Sequence, residues 1–138
     1  MSGHIFFNDR WDGFDDGIYA AARLLEILSL DPRTTTEIFA DLPETVSTPE
    51  LKIHLEEGEP PAVIHGLVER ARFPEARVTT IDGLRVDFLD GWGLVRASNT
   101  TPCLVLRFEA DTEEALARIK QTFRELIADV RPDLSPDF

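Results

Sequence analysis

A chain of 138 residues with 26 Asp and Glu against 14 Lys and Arg has a formal charge of −12, which excludes a nucleic-acid or anionic-membrane binder, because both need a basic face against phosphate. Its 43% hydrophobic content suffices for a core, and the single cysteine, Cys103, rules out an internal disulfide or a cysteine-based zinc cage. Met1-Ser2-Gly3-His4 is not a basic, apolar leader and no apolar run approaches the roughly 20 residues that cross a bilayer, so the expectation is a soluble, acidic, cytoplasmic protein.

Along the chain, Ile5-Phe6-Phe7 reads as a short buried strand, and Asp15 and Asp16 stand where acids favour a helix start. The helix from about Ile18 to Leu30 has only Arg23, Glu26 and Ser29 as polar positions, so most of its surface needs cover. One short strand and a short helix over about Thr34 to Ala40 are too little. This first part therefore reads as the tail of a domain whose remainder lies elsewhere, or as a surface that another chain buries. Self-association through the Ile18–Leu30 helix is one way to bury it. Asp41-Leu-Pro-Glu-Thr-Val-Ser-Thr-Pro49, with its two prolines, reads as a linker.

The second part carries its own core. Leu51-Lys-Ile-His-Leu-Glu alternates as a half-buried strand, and Pro60 to Phe73 reads as a helix with Val63, Ile64, Leu67 and Val68 on one face. Four strands follow, starting at Val78, Leu84, Trp92 and Cys103, joined by turns at Asp82-Gly83, Asp90-Gly91 and Ser98 to Pro102, so neighbours run antiparallel. The last helix starts at Asp111 or Thr112, with Glu114 placed for a capping box, and its stripe Leu116, Ile119, Phe123, Leu126, Val130 faces the sheet. The expected class is α+β: a small antiparallel sheet with two helices on one face, preceded by a strand–helix tail of an α/β domain.

Arg96-Ala-Ser98-Asn99-Thr100-Thr101 joins two strands and contains no carboxylate. The Arg fork takes two phosphate oxygens, and the short side chains and turn amides add donors. Spacing alone fits an ordinary polar hairpin better, with Arg96 paired to a surface acid. Asp12 to Gly17 misses the alternation of a calcium loop, and capping accounts for its acids. His54 reads as exposed, His65 as packing, Cys103 as a small core residue, and Trp92 as an anchor beside a turn rather than a sugar platform. His4, after a small-residue turn, is placed to face a cleft.

With these residues in view, the sequence resembles the C-terminal end of the bacterial phosphomannomutase/phosphoglucomutase enzymes of the α-D-phosphohexomutase family. Met1-Ser-Gly-His-Ile-Phe-Phe resembles the tail of the family's sugar-recognition loop, and Asp15 to Leu28 resembles the helix after it in the third domain. Asp82-Gly-Leu-Arg-Val-Asp and Gly91-Trp-Gly-Leu-Val-Arg-Ala-Ser-Asn-Thr resemble strands and the phosphate-binding loop of the fourth domain. The resemblance implies that residues 1–43 end the third domain and 44–138 form the fourth. It implies that Arg96, Ser98, Asn99 and Thr100 bind substrate phosphate, that Ser2 contacts sugar hydroxyls, and that His4 sits near the reacting oxygen as a proton-transfer group. Such enzymes pass a phosphoryl group from a phosphoserine to a hexose phosphate through a bisphosphate, with Mg2+. The phosphoserine loop and metal loop are absent here, so the partners implied are a phosphosugar and the N-terminal domains of the same polypeptide. The complete enzyme would use Mg2+ and a hexose bisphosphate activator, this part would bind no cofactor, and alone it would be inactive. The alternative from another class is a stand-alone phosphate-binding or interaction module without catalysis.

Overall fold

The computed structural model describes residues 3–134, 136 and 138. The chain divides into two compact units, Met1–Pro43 and Glu44–Phe138.

In the first unit, helix α1 spans Gly17–Leu30 and a one-and-a-half-turn helix α2 spans Thr35–Phe39. Only one of the two adjacent acids starts α1. Asp16 lies in extended backbone and its carboxylate accepts from the Ile18 and Tyr19 amides, whereas Asp15 turns elsewhere. A full capping box between Thr34 and Glu37 starts α2, and the Thr34 hydroxyl bonded to the Glu37 carboxylate holds it below the usual carboxylate range. Tyr19 gathers the aromatics, with Trp11 stacked on it at 4.3 Å and Phe7 edge-on at 5.4 Å. That cluster covers one side of α1 only. No residue of α1 is buried, and Ile18 and Leu30 are 87% and 79% exposed. The buried strand expected at Ile5-Phe6-Phe7 is reduced to one bridge, Phe6 to Asp15, because no second strand is there to extend the ladder; Ile5 and Phe6 are exposed.

The second unit is a six-stranded antiparallel sheet: β1 Val46–Ser47, β2 Leu51–His54, β3 Arg77–Thr79, β4 Leu84–Phe88, β5 Gly91–Ala97 and β6 Cys103–Ala110. The order is β1-β6-β5-β4-β3, and β2 shares the β6 edge with β1. The presumed linker thus contains a strand, Val46 opposite Ala110, too short for sequence periodicity to reveal. Side chains alternate across β5 and β6. Val95, Leu104, Leu106 and Phe108 are fully buried on the side of the helices, while Arg96 and Arg107 point to the other side. Helices α3 (Glu59–Arg70) and α4 (Glu113–Val130) supply Val63 and Leu67, and Leu116, Ile119, Phe123 and Ile127, to that core. The fold class is that expected from the sequence: four helices and a small antiparallel sheet.

Two local readings change. Helix α4 is capped by Thr112, whose hydroxyl accepts from Ala115, so Glu114 falls one position short of a capping box. His65 is not packed but exposed, 3.6 Å from Glu69 one turn on; its neighbour Gly66 is the residue that meets α4, where an added Cβ would come within 2.8 Å of Val130. Arg131 then ties the end of α4 to the start of α3 through Glu59 at 3.2 Å. Cys103 is fully buried and His54 exposed, as read.

Candidate functional site

The last rung between β5 and β6 pairs Ala97 with Leu104, and the chain turns beyond it through Ser98–Pro102. The Ser98 amide donates to Cys103 O at 2.9 Å and Cys103 N to Thr101 O at 2.8 Å, closing the base of the loop. Ser98 is its internal hub. Its Oγ accepts from the amides of Thr100 and Thr101, both at 3.3 Å, and lies 3.1 Å from Thr101 Oγ1. A hydroxyl that folds the following amides back on itself is the usual local device of Ser and Thr in turns. Leu55 N donating to Pro102 O at 2.9 Å anchors the outer end to the residue after β2. Asn99 and Thr100 are exposed at the tip.

Arg96 leaves β5 two residues before Ser98, half-buried. Its Nη1 donates to Ala97 O at 3.4 Å and stands 4.0 Å from Asp82 Oδ2. Both are loose contacts, so the fork keeps most of its donors for another partner. Its place is set by Gly83 in the β3–β4 turn. That residue has φ +96°, and a Cβ there would fall 2.2 Å from Val95 O and 2.7 Å from Arg96 Cα. Only glycine lets the turn close against β5 and bring Asp82 beside Arg96.

The loop forms one wall of a pocket of about 430 Å³, whose other wall is Glu57, Gly58, Pro60 and Pro61 at the start of α3. That second wall was not legible in the sequence, lying some forty residues away. It donates little. Two of the first three residues of α3 are prolines without an N–H, and the Glu59 amide donates to Glu56 O at 3.1 Å. Donors for an anion in this pocket therefore come from the Ser98–Thr101 side; Arg96 does not line it and points to the other face of the sheet.

A larger cavity of about 490 Å³, walled by Phe73, Phe88 and Leu89, lies by the β4–β5 turn, at the other end of β5; the Arg118 at its rim is already paired with Asp90 and set against Phe88. Trp92 is half-buried, with the Arg85 guanidinium 4.1 Å from its ring centre, so that face is taken.

Of the other expected site residues, Ser2 lies outside the described residues. His4 belongs to the first unit, exposed, its Nδ1 against the Asp15 carboxylate. Sequence reading missed that partner because Asp15 was explained as a cap. Among the described residues, no three His, Cys, Asp or Glu side chains gather into a cluster that could hold a metal ion.

Residues 50–126 match the model of the phosphoglucomutase/phosphomannomutase C-terminal domain, and residues 1–46 that of the family's alpha/beta/alpha domain III. The chain belongs to the phosphoglucomutase/phosphomannomutase family. It is 56% identical over 138 residues to a phosphomannomutase/phosphoglucomutase of Pseudomonas aeruginosa, covering 100% of this chain and 30% of the relative. A phosphoglucomutase of Neisseria gonorrhoeae is 57% identical over 129 residues, 92% of this chain and 28% of that protein. The crystal structure of a phosphoglucomutase/phosphomannomutase family protein from Burkholderia thailandensis superimposes with a TM-score of 0.86 at 49% identity, over 100% of this chain and 29% of that one. The chain thus spans about 30% of the length of the curated relatives it matches.

Proposed function

We propose that this chain is the phosphate-gripping end of a phosphohexomutase that interconverts the 1- and 6-phosphates of glucose or mannose. In this reading, residues 1–43 close the sugar-recognition domain and 44–138 form the domain that folds over the cleft. The observation that carries it is the loop closed on Ser98: short donors gathered at the end of two rigid strands, free of carboxylates, with a scarcely engaged guanidinium at the base. Arg96 takes two phosphate oxygens through its fork, Ser98, Asn99 and Thr100 take the rest, and Ser2 reads sugar hydroxyls. Closing the loop onto the substrate excludes water, so that the phosphoryl group passes to sugar rather than solvent.

The chain's own residues bind and position; the phosphoserine that donates the phosphoryl group and the Mg2+ that supports transfer belong to parts of the polypeptide beyond these residues. A hexose bisphosphate primes that serine. Among the described residues no helix is long and apolar enough to span a membrane, and the location that fits a phosphosugar enzyme is cytoplasmic.

The test is direct. The complete enzyme, given glucose 1-phosphate, Mg2+ and a bisphosphate activator, should form glucose 6-phosphate, read by a coupled dehydrogenase. The 138-residue chain alone should give the buffer rate. Turnover by the isolated chain, or none by the complete enzyme on either hexose phosphate, would sink the reading.

A further inference from the structure

Asp15 and Asp16 are chemically identical neighbours with divergent roles. Asp16 caps α1. Asp15 lies in a backbone bridge opposite Phe6, and its carboxylate divides between two partners on the facing segment. Oδ2 contacts His4 Nδ1, and Oδ1 accepts from the Ile5 amide at 3.3 Å. One oxygen thus fixes the carboxylate to the main chain and the other fixes the ring to the carboxylate. His4 Nε2 has no hydrogen-bond partner among the described residues.

We propose that Asp15 is the positioning residue of His4: it holds the proton on Nδ1 and leaves the Nε2 lone pair open as the acceptor for a sugar hydroxyl proton. What His4 does rests on the mutase reading; the tautomer rests on the contact alone. A carboxylate bonded to Nδ1–H sets the tautomer and ring orientation, and it stabilises the imidazolium that forms when Nε2 takes a proton. In the transfer step, the hydroxyl oxygen attacks phosphorus as its O–H bond breaks and Nε2–H forms. The bond from phosphorus to the seryl oxygen breaks in turn, and the electron pair stays on that oxygen. In the return direction, Nε2 gives the proton back to the sugar oxygen. The capping account of Asp15 offers no reason for its carboxylate to reach back eleven residues along the chain, since Asp16 already bonds the Ile18 and Tyr19 amides in the first turn of α1.

Two measurements separate this from its foundation. Long-range 1H–15N NMR of the complete enzyme with 15N-labelled histidines, above the titration of its imidazoles and with the His4 signal assigned by loss in His4→Gln, should show the Nδ1–H form. Asp15→Asn should shift it to the Nε2–H form that a free imidazole favours. Finding Nε2–H in the native enzyme, or His4 tautomers unchanged by Asp15→Asn, overturns the proposal; so does a native enzyme in which Phe6 and Asp15 are unpaired, because the pairing is claimed for this segment. In the complete enzyme, Asp15→Asn should lower kcat about 10- to 100-fold with KM held within about threefold. In a His4→Gln background the same change should cost nothing further, whereas a merely structural Asp15 would cost as much in both backgrounds. A complete enzyme without mutase activity would defeat the functional reading and leave the tautomer result standing.

Discussion

Arg96 near the end of β5 and Ser98 in the loop after it are proposed to contribute unequally to phosphate binding. Charge-assisted bonds from a guanidinium contribute about 1.5–3 kcal/mol, against about 1 for a neutral hydroxyl. In the complete enzyme, Arg96→Ala should therefore lower kcat/KM for the sugar phosphate about 10- to 150-fold. Ser98→Ala should cost roughly a tenth of that, because the amides of Thr100 and Thr101 it releases are at the surface and regain water. Steady-state kinetics on both variants decide the ranking, and equal losses reject it. A second residue-scale expectation concerns Asp133. The side-chain hydrogen bond from Arg131 holds its carboxyl down at about 2, against an ordinary value of 3.8. Since the folded value is the lower one, the pair's stabilisation is complete above about pH 4 and disappears as pH falls through about 2. A carbon-detected NMR titration should place the Asp133 midpoint below the usual carboxylate range, and Arg131→Ala should return it there.

At the scale of elements, β3 to β6 were legible because their apolar runs are separated by the turn signals Asp82-Gly83, Asp90-Gly91 and Ser98 to Pro102. Strand β1 was not: two residues carry no period, and its place beside Ala110 is set by β6. The Ser98–Thr101 wall of the pocket was singled out by its resemblance to the family's phosphate-binding loop, since its residue types alone fit a polar hairpin, while the Glu57–Pro61 wall is assembled only by folding. The same holds for packing across layers. An added Cβ on Gly93 of β5 would come within 2.4 Å of the Phe123 ring on α4, in the most buried part of the core. Gly93→Ala should thus destabilise by about 1–3 kcal/mol through overpacking. Phe123→Leu should relieve part of that cost, so the double variant will be more stable than the sum of the singles in urea unfolding. Gly83→Ala acts on function instead. It forces the β3–β4 turn away from Arg96, and should weaken phosphate binding while leaving the α3–α4 core intact by near-UV circular dichroism.

Taken as a whole molecule, the two units differ in what they bury. Glu44–Phe138 encloses Leu67, Phe108, Ile119 and Phe123 without residual exposure, whereas Gly17–Leu30 buries nothing fully. Each wet Leu or Ile forfeits about 1.5–3 kcal/mol, more than one helix of this length recovers locally. The sequence displayed this imbalance directly, because a helix with only three polar positions shows its need for cover whatever surrounds it. In hydrogen exchange on the 138-residue chain, the amides of Leu104 to Phe108 should be protected to the level of global unfolding. Those of Ala21 to Ile27 should exchange much faster, or gain protection only as concentration rises and α1 finds a second copy. Equal, concentration-independent protection in both would show that the first unit is stable by itself.

The start of α3 has one more consequence. A helix N-terminus with bare amides is a strong anion seat, and the pocket proposed for phosphate has a helix start on its wall; yet Pro60 and Pro61 remove the N–H groups, and Glu57 and Glu59 add negative charge there. A phosphate bound at Ser98–Thr101, as proposed, would be grasped from one side. In the proposed mutase, which would release a doubly phosphorylated intermediate, turn it end for end and catch it again, such a short residence time is an advantage, since a tighter seat would hold one orientation and stall the cycle. Restoring the amides with Pro60→Ala and Pro61→Ala would tighten KM and slow kcat together, the signature of a hand that no longer opens fast enough.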